Sequence, residues 1–188
     1  VSVLAYTMAQ SPSESNKVLA IGNPDIGNPA FDLPMAQKEA ERITWTFPDA
    51  DVLTGTSATE TWLKENISQY GVIHLAMHGE FVDSVPLLSA LQLRRDEDND
   101  GELTAKEIFD MQINADLVAL SACQTGLGEV TPGDEVIGLN RSFVYAGTRQ
   151  LMSTLWRVDD VETAVMVKHF YRNQEQTNRA DALRQAQQ

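Results

Sequence analysis

A cysteine and a histidine at matching positions form the strongest candidate for chemistry in this sequence. His78 follows the nearly continuous apolar run at residues 72–77, and Cys123 follows a similar run at residues 117–122. Gly79 comes directly after the histidine, and Gln-Thr-Gly-Leu-Gly comes directly after the cysteine. Cysteine attacks as the thiolate, and a nearby imidazole lowers the thiol pKa or delivers a proton to a leaving amine. The pattern therefore predicts a nucleophile and its acid/base partner.

Each member of this pair has a structural explanation when it is taken alone. A lone cysteine in an apolar strand is usually an inert packing residue. A histidine after such a strand is more often a hydrogen-bonded structural residue than a catalyst. The flanking glycines favour chemistry, because glycine lets a substrate backbone approach and leaves an N–H free to stabilise an oxyanion. We therefore predict that the cysteine is a nucleophile.

The elements that must position the pair alternate between strands and helices. Three apolar runs, at residues 72–77, 117–122 and 150–155, are typical of strands buried on both faces of a parallel sheet. Shorter strands are predicted at 18–21 and 51–53, with an extra strand or hairpin arm at 90–93 and a terminal extension and loop at 1–17. Apolar residues at helical spacing predict helices at 34–47, 57–70 (with Ser57 and Glu60 as a capping box), 104–111, 134–146, 159–171 and from 178 onward.

This alternation predicts an α/β fold: an open sandwich with a mostly parallel central sheet and helices on both faces. In such sheets, functional groups gather beyond the carboxyl ends of the strands. If the strands before His78 and Cys123 are neighbours, their ends lie within several ångströms of each other. The fold thus gives the two residues a common location.

Composition narrows the class of protein and its partners. A chain of 188 residues is enough for one domain, and 27 acidic against 14 basic residues give a net charge of −13. Such a surface repels phosphate backbones and anionic membranes, so basic peptides or proteins are the more natural partners. The sequence has no apolar run near the ~18 residues of a membrane span and no start typical of a signal peptide. A single cysteine excludes an intrachain disulfide and a multi-cysteine zinc site, which favours a cytoplasmic location.

Long motifs extend the pattern beyond the Cys/His pair. They are Gly-Asn-Pro at 22–24, His-Leu-Ala-Met-His-Gly at 74–79, Leu-Ser-Ala-Cys-Gln-Thr-Gly-Leu-Gly at 120–128 and Leu-Trp-Arg-Val-Asp-Asp at 155–160. With these motifs the sequence resembles the CHAT domain over nearly its whole length. The CHAT domain is a caspase-like peptidase domain, related to separase, that is usually attached to tetratricopeptide repeats. The separation of 45 residues between His78 and Cys123 is also close to that in caspases, about 50.

The resemblance implies a role for each matching residue. Cys123 is the nucleophile, His78 is the general acid/base, and the backbone N–H groups of Gly79 and Cys123 form the oxyanion hole. His74 also matches the family but is expected to be a buried structural histidine, and His169 is expected to be a surface or packing residue. The implied protein is a bacterial-type, cytoplasmic cysteine endopeptidase without a cofactor, in which residues 1–188 form one domain of a longer chain. It would act on a protein substrate under the control of appended repeats.

Two other classes stay open beside the peptidase. The first is a catalytically silent module that uses the same cleft to bind a protein partner, and the intact Cys123/His78 pair argues against it. The second is a thiol redox protein, which is disfavoured because the chain has no resolving cysteine.

Specificity and calcium binding are the remaining questions. Ser-Ala-Cys-Gln-Thr-Gly replaces the caspase signature Gln-Ala-Cys-x-Gly, so aspartate specificity is not carried over. The acidic surface instead favours cleavage after a basic residue, with four candidate acids for the pocket: Glu129, Asp134, Glu135 and Asp159. A second acidic group has the spacing of a calcium loop with Gly101 at its sixth position: Asp96, Asp98, Asp100, Glu102 and Glu107. The alternative is an ordinary turn followed by a capping box of Thr104 and Glu107, which is favoured because residues 91–93 resemble a strand rather than an entering helix.

Overall fold

The strands and helices follow the alternation that the sequence predicts. The computed structural model describes residues 3–7, 12–82, 84–121, 123–124, 135–154, 160–174 and 176–188. The strands are β1 (Val3–Thr7), β2 (Val18–Pro24), β3 (Asp51–Gly55), β4 (Val72–Ala76), β5 (His78–Glu80), β6 (Ala90–Gln92), β7 (Glu102–Thr104), β8 (Leu117–Leu120), β9 (Cys123–Gln124) and β10 (Gln150–Thr154). The α-helices are α1 (Pro34–Arg42), α2 (Glu60–Asn66), α3 (Ala105–Asp110), α4 (Glu135–Tyr145), α5 (Asp160–Asn173) and α6 (Arg179–Ala186).

A six-stranded sheet in the order β1-β10-β8-β4-β2-β3 forms the centre of the fold. Strands β10, β8, β4, β2 and β3 run parallel, which confirms the predicted α/β class with a mostly parallel sheet. β1 adds to the edge in the antiparallel direction, with Val3 opposite Thr154. The sequence assigned no strand to this terminal segment, because its pairing partner lies about 150 residues away and leaves no local pattern.

Helices cover both faces of this sheet. On one face Leu63 of α2, Ile108 of α3 and Phe143 of α4 pack against alternate strand residues such as Ile73. On the other face α1, α5 and α6 pack against the intervening residues, such as Ala20. Fully burying one side chain of this kind stabilises the fold by about 1.5–3 kcal/mol. No helix in the described ranges is long and apolar enough to cross a membrane.

A second, smaller sheet extends beyond the carboxyl ends of β4 and β8. Its order is β7-β6-β5-β9, and it confirms the extra strand that the sequence predicts near residue 90. β5 follows β4 after Met77, and β9 follows β8 after two residues. The small sheet thus continues the two central strands that precede His78 and Cys123.

One helix start and one helix end differ from the sequence prediction. The predicted cap at Ser57 is wrong: Thr59 caps α2, and its hydroxyl accepts from the Trp62 N–H at 3.2 Å. The Ser57 hydroxyl instead donates to the Thr54 carbonyl at 2.8 Å. The first helix is shorter than the predicted helix at 34–47. α1 ends at Arg42, and a 3-10 turn follows at Ile43–Trp45.

Candidate active site

The candidate site lies where β5 and β9 pair. The two strands run parallel, with His78 directly opposite Cys123 and Gly79 opposite Gln124. Neighbouring strands lie about 4.8 Å apart, so the backbones of the two predicted catalytic residues are adjacent. The Cys123 side chain and the glycine-rich segment at 125–134 lie outside the described part of the structure. Strand pairing alone therefore places the residues together.

The His78 ring has a fixed orientation. It is 5% exposed, and its Nε2 lies 2.7 Å from the backbone carbonyl oxygen of Phe31. A carbonyl only accepts hydrogen bonds, so Nε2 carries the hydrogen and Nδ1 is the acceptor of the neutral ring. Nδ1 is buried and has no hydrogen-bond partner among the described residues. The ring therefore presents one buried, unpartnered basic nitrogen.

A short turn between β2 and α1 places the Phe31 carbonyl beside the His78 ring. Pro29–Phe31 is a 3-10 turn, and the Asn28 side chain caps it by accepting from the Ala30 N–H at 3.0 Å. The Phe31 ring also meets the His78 ring edge-on, with centroids 5.6 Å apart and an interplanar angle of 84°. The turn thus holds the histidine through both its backbone and its side chain.

Asn23, at the carboxyl end of β2, anchors this segment. Its backbone has the left-handed φ of 52°, which asparagine adopts more readily than most residues. Its side chain accepts from the Leu33 N–H at 2.7 Å and donates to the Asp32 carboxylate at 2.6 Å. The Gly-Asn-Pro motif therefore supports the turn that orients His78, a role that the sequence analysis did not assign.

The proposed oxyanion donors lie in the small sheet. Gly79 is buried, opposite Leu91 of β6 and Gln124 of β9. Because β5 is paired along both edges, the path of the chain at the Gly79 backbone is set by its neighbours. The role of the Gly79 and Cys123 N–H groups stays a prediction.

His74 lies in a different environment from His78. It is fully buried on β4, and its Nε2 lies 2.9 Å from the Glu39 carboxylate. Its Nδ1 lies 3.2 Å from the hydroxyl oxygen of Tyr171. Burial raises the pKa of Tyr171, and the negative charge of Glu39 raises it further, so this hydroxyl keeps its proton. Both nitrogens of His74 therefore have buried partners, and the ring is held within the core beside α1 and α5. His169, the third histidine, is exposed on α5.

The ammonium group of Lys64 lies between the acidic loop at residues 96–102 and the carboxylates of Glu60 and Glu107. Lys64 Nζ lies 2.7 Å from the Asn99 side-chain oxygen and 2.8 Å from the Glu107 carboxylate, and it also pairs with Glu60. The Asp96 carboxylate accepts from the backbone N–H groups of residues 98 and 99. Within the described ranges, no group of three or more His, Cys, Asp or Glu side chains is arranged to hold a metal. The calcium question stays a prediction.

The capping box at the start of α3 is confirmed. The Thr104 hydroxyl accepts from the Glu107 N–H at 3.2 Å, and the Glu107 carboxylate accepts from the Thr104 N–H at 2.9 Å. Burial acts to raise the pKa of Glu107, but hydrogen bonds from Lys64 and Thr104 outweigh it and lower the pKa below its usual value. Glu107 thus acts as a cap and as a partner of Lys64.

The side chains of the four acids proposed for the specificity pocket lie outside the described part of the structure. Glu129, Asp134 and Asp159 lie outside the described residues. Glu135 begins α4, and its side chain also lies outside the description. Their role stays a prediction.

Sequence comparison with known proteins identifies relatives of this chain and its family. The chain is 26% identical over 198 residues to human tetratricopeptide repeat protein 28 and 24% identical over 199 residues to the mouse protein of that name. Each alignment covers 85% of this chain but only 8% of the relative, so the chain spans a small part of those proteins. The profile of the CHAT domain family matches residues 2–188. Because the profile matches nearly the full length of the chain, this chain belongs to the CHAT domain family.

Proposed function

We propose that the chain is a cysteine endopeptidase domain, in which Cys123 is the nucleophile and His78 is the general acid/base. The observation that carries the proposal is the pairing of β5 with β9, which sets His78 opposite Cys123. The orientation of the imidazole supports it, because the Phe31 carbonyl engages Nε2 and leaves the buried Nδ1 as the basic nitrogen. CHAT family membership adds the caspase-like relationship.

The chemistry follows from these positions. His78 Nδ1 takes the thiol proton, and the Cys123 sulfur attacks the carbonyl carbon of the scissile peptide bond. The carbonyl oxygen becomes an oxyanion, which the N–H groups of Gly79 and Cys123 stabilise. His78 then gives its proton to the leaving amine, the C–N bond breaks, and a thioester forms. Water activated by His78 hydrolyses the thioester and frees the carboxylate and the thiol.

The Phe31 carbonyl contributes to the same cycle. When Nδ1 is protonated, the ring carries a positive charge and its Nε2–H becomes a stronger donor. The hydrogen bond at 2.7 Å then stabilises the imidazolium more than the neutral ring. The carbonyl therefore orients the base and favours its charged form at the step where that form is needed.

The domain is proposed to act within a longer, cytoplasmic polypeptide. The name of the human and mouse relatives supports attachment to tetratricopeptide repeats, which would regulate cleavage of a protein substrate. The net charge of −13 favours cleavage after a basic residue. Cleavage of a peptide library by the activated full-length protein tests this preference, and a clear preference for aspartate or for an apolar residue would contradict it.

Thiol reactivity tests the catalytic assignment. In the activated full-length protein, Cys123 should react with iodoacetamide faster than in the unfolded chain, because a thiol facing an imidazole has a larger thiolate fraction. Mass spectrometry of the peptide that contains Cys123 measures the rate. Cys123→Ala should abolish cleavage of the substrate, while the far-UV circular dichroism stays unchanged.

The competing proposal is a catalytically silent domain that binds a protein partner. The low exposure of His78, 5%, is the observation that favours it, because the carbonyl and the ring of Phe31 both lie against the imidazole. The same assay separates the two. A Cys123 that reacts no faster than the unfolded control, together with a Cys123→Ala protein that still processes its partner, would overturn the peptidase proposal.

A further inference from the structure

A cavity of about 260 Å³ lies between the end of α1, the Ile43–Trp45 turn and the second half of α5. Glu39 and Tyr171, both buried, form part of its floor. Helices α1 and α5 each begin after the carboxyl end of a central strand, so their last turns lie toward the amino ends of the strands. The cavity is therefore at the other end of the sheet from His78, and the proposed peptidase chemistry does not use it.

Three basic side chains and an indole line the rim of this cavity. The Arg42 guanidinium lies 5.5 Å from the centroid of the Trp45 ring, and the Lys168 ammonium lies 5.6 Å from it. Arg172 is the third cation. In the described part of the chain, the ion pairs within 4.0 Å involve Lys64, His74, Arg94, Arg149 and Arg184 and none of these three. With only 14 basic residues against 27 acidic ones in the sequence, this is a local concentration of positive charge that has no acidic partner among the described residues.

Stabilisation of the helices does not account for the whole cluster. Arg42 and Arg172 lie in the last turns of α1 and α5, where a cation complements the helix dipole. Lys168 lies a full turn earlier, and Trp45 lies outside both helices. The indole is 67% exposed, although tryptophan is among the side chains that gain most from burial. Arg42 and Lys168 lie over this exposed indole at cation–π distance, and together with Arg172 they form a basic aromatic surface that an anionic ligand would cover.

We propose that this cavity binds a small organic anion with a planar apolar body. The anionic group lies between Arg42, Lys168 and Arg172, and the planar body lies against the Trp45 indole. The orientation follows from the floor, because the Glu39 carboxylate, which is paired with His74, would repel an anion placed deeper. A carboxylate, a sulfonate or a phosphate has the required chemistry, since each accepts charge-assisted hydrogen bonds from guanidinium and ammonium groups.

Two probes that differ in one charged group test the proposal. 8-Anilino-1-naphthalenesulfonate carries a planar body and a sulfonate, and N-phenyl-1-naphthylamine carries the same body without the charge. Fluorescence titration should show a single site that binds the sulfonate about tenfold more tightly than the uncharged probe. The double variant Lys168→Gln with Arg172→Gln should remove most of that difference and leave affinity for the uncharged probe within about twofold. Trp45→Ala should weaken binding of both probes.

A matched control removes the same two charges elsewhere. Arg95 and Lys106 are exposed and do not line the cavity, so Arg95→Gln with Lys106→Gln should leave the affinities for both probes unchanged. An equal loss of sulfonate binding in this control would show that the probe responds to net charge and would overturn the proposal. Equal affinity of the two probes for the wild-type protein, or unchanged sulfonate binding in the Lys168/Arg172 variant, would also overturn it.

Discussion

His74 and His78 are four residues apart in the sequence, and both are buried, with exposures of 0% and 5%. In each ring Nε2 lies close to a fixed oxygen, 2.9 Å from the Glu39 carboxylate in His74 and 2.7 Å from the Phe31 carbonyl in His78. They differ at Nδ1: that of His74 contacts the Tyr171 hydroxyl, whereas that of His78 has no partner among the described residues. A buried histidine is available for proton transfer when one of its nitrogens is oriented and the other is left unpartnered. Burial by itself does not separate a structural histidine from a candidate base.

Substitution of His78 should give the largest effect on activity. His78→Ala removes the proposed proton donor and acceptor, so cleavage by the activated full-length protein should fall about a hundredfold or more. The free energy of unfolding should also fall, by about 1–3 kcal/mol, because the substitution removes a buried ring and leaves the Phe31 carbonyl without its donor. Cleavage kinetics and urea unfolding measure the two effects. An unchanged cleavage rate would show that the unpartnered nitrogen has no catalytic role.

Substitution of His74 should give the opposite pattern. His74→Ala leaves the Glu39 carboxylate buried without its partner, which should lower the free energy of unfolding by about 3 kcal/mol or more. The exposed His169 provides a control, since His169→Ala should change stability by no more than about 0.5 kcal/mol. Equilibrium urea unfolding compares the two variants. If His74→Ala lowered the free energy of unfolding no more than His169→Ala does, His74 would not be a structural histidine that stabilises the core.

The sequence predicts the buried strands but does not predict the contacts that orient the two histidines, because these contacts join segments that are distant in the sequence. The strands before His78 and Cys123 are continuous apolar runs, so their burial in a parallel sheet follows from local pattern. That β4 and β8 are neighbours, which brings their ends together, is a property of the strand order that local pattern does not set. Contacts between distant segments leave no such pattern: Glu39 meets His74 from 35 residues away, and Tyr171 from 97. The Phe31 carbonyl is a backbone group that every residue carries, so no residue type marks it. Ser57 and Thr59 are both good caps, and only the path of the chain selects Thr59.

Removal of the Tyr171 hydroxyl tests whether its contact with His74 Nδ1 stabilises the fold. Tyr171→Phe takes away the donor to His74 and should lower the free energy of unfolding by about 1–3 kcal/mol, because a buried nitrogen loses its partner. Tyr145→Phe removes a hydroxyl from a side chain that is 72% exposed and should have almost no effect. Thermal and urea unfolding of the two variants give the difference. Equal stability of Tyr171→Phe and the wild type would show that the hydroxyl contributes nothing to holding His74.

The Lys64–Glu107 pair should give the smallest effect, since its groups are partnered but partly exposed. The lowered pKa of Glu107 means that its charged form stabilises the fold at pH values above its usual pKa of 4.5. That contribution is lost as the pH falls through the lower pKa of the folded state. Glu107→Gln keeps a capping-box side chain without the charge, so it should cost less than about 1 kcal/mol near pH 7, and this cost should shrink as the pH falls through the lowered pKa of Glu107 in the folded state.

Urea unfolding between pH 7 and pH 3 measures this dependence. Glu97→Gln provides the control, because Glu97 is an exposed acid in the same loop. A difference between Glu107→Gln and the wild type that did not shrink as the pH falls would show that the carboxylate charge is not the cause.

The hydrogen bond between His78 and the Phe31 carbonyl affects which residues of this domain can vary between species. Any amino acid supplies a carbonyl at position 31, so a substitution there keeps the hydrogen bond as long as the turn keeps its path. The path depends instead on Asn23, with its left-handed φ of 52°, and on the Asn28 cap. A change of the Phe31 side chain therefore removes only the edge-on ring contact and keeps the hydrogen bond, whereas changes at Asn23 or Asn28 would move the carbonyl itself. In an alignment of CHAT domains, the positions that orient this imidazole would be found by tracing the backbone and not by looking for a third conserved catalytic side chain.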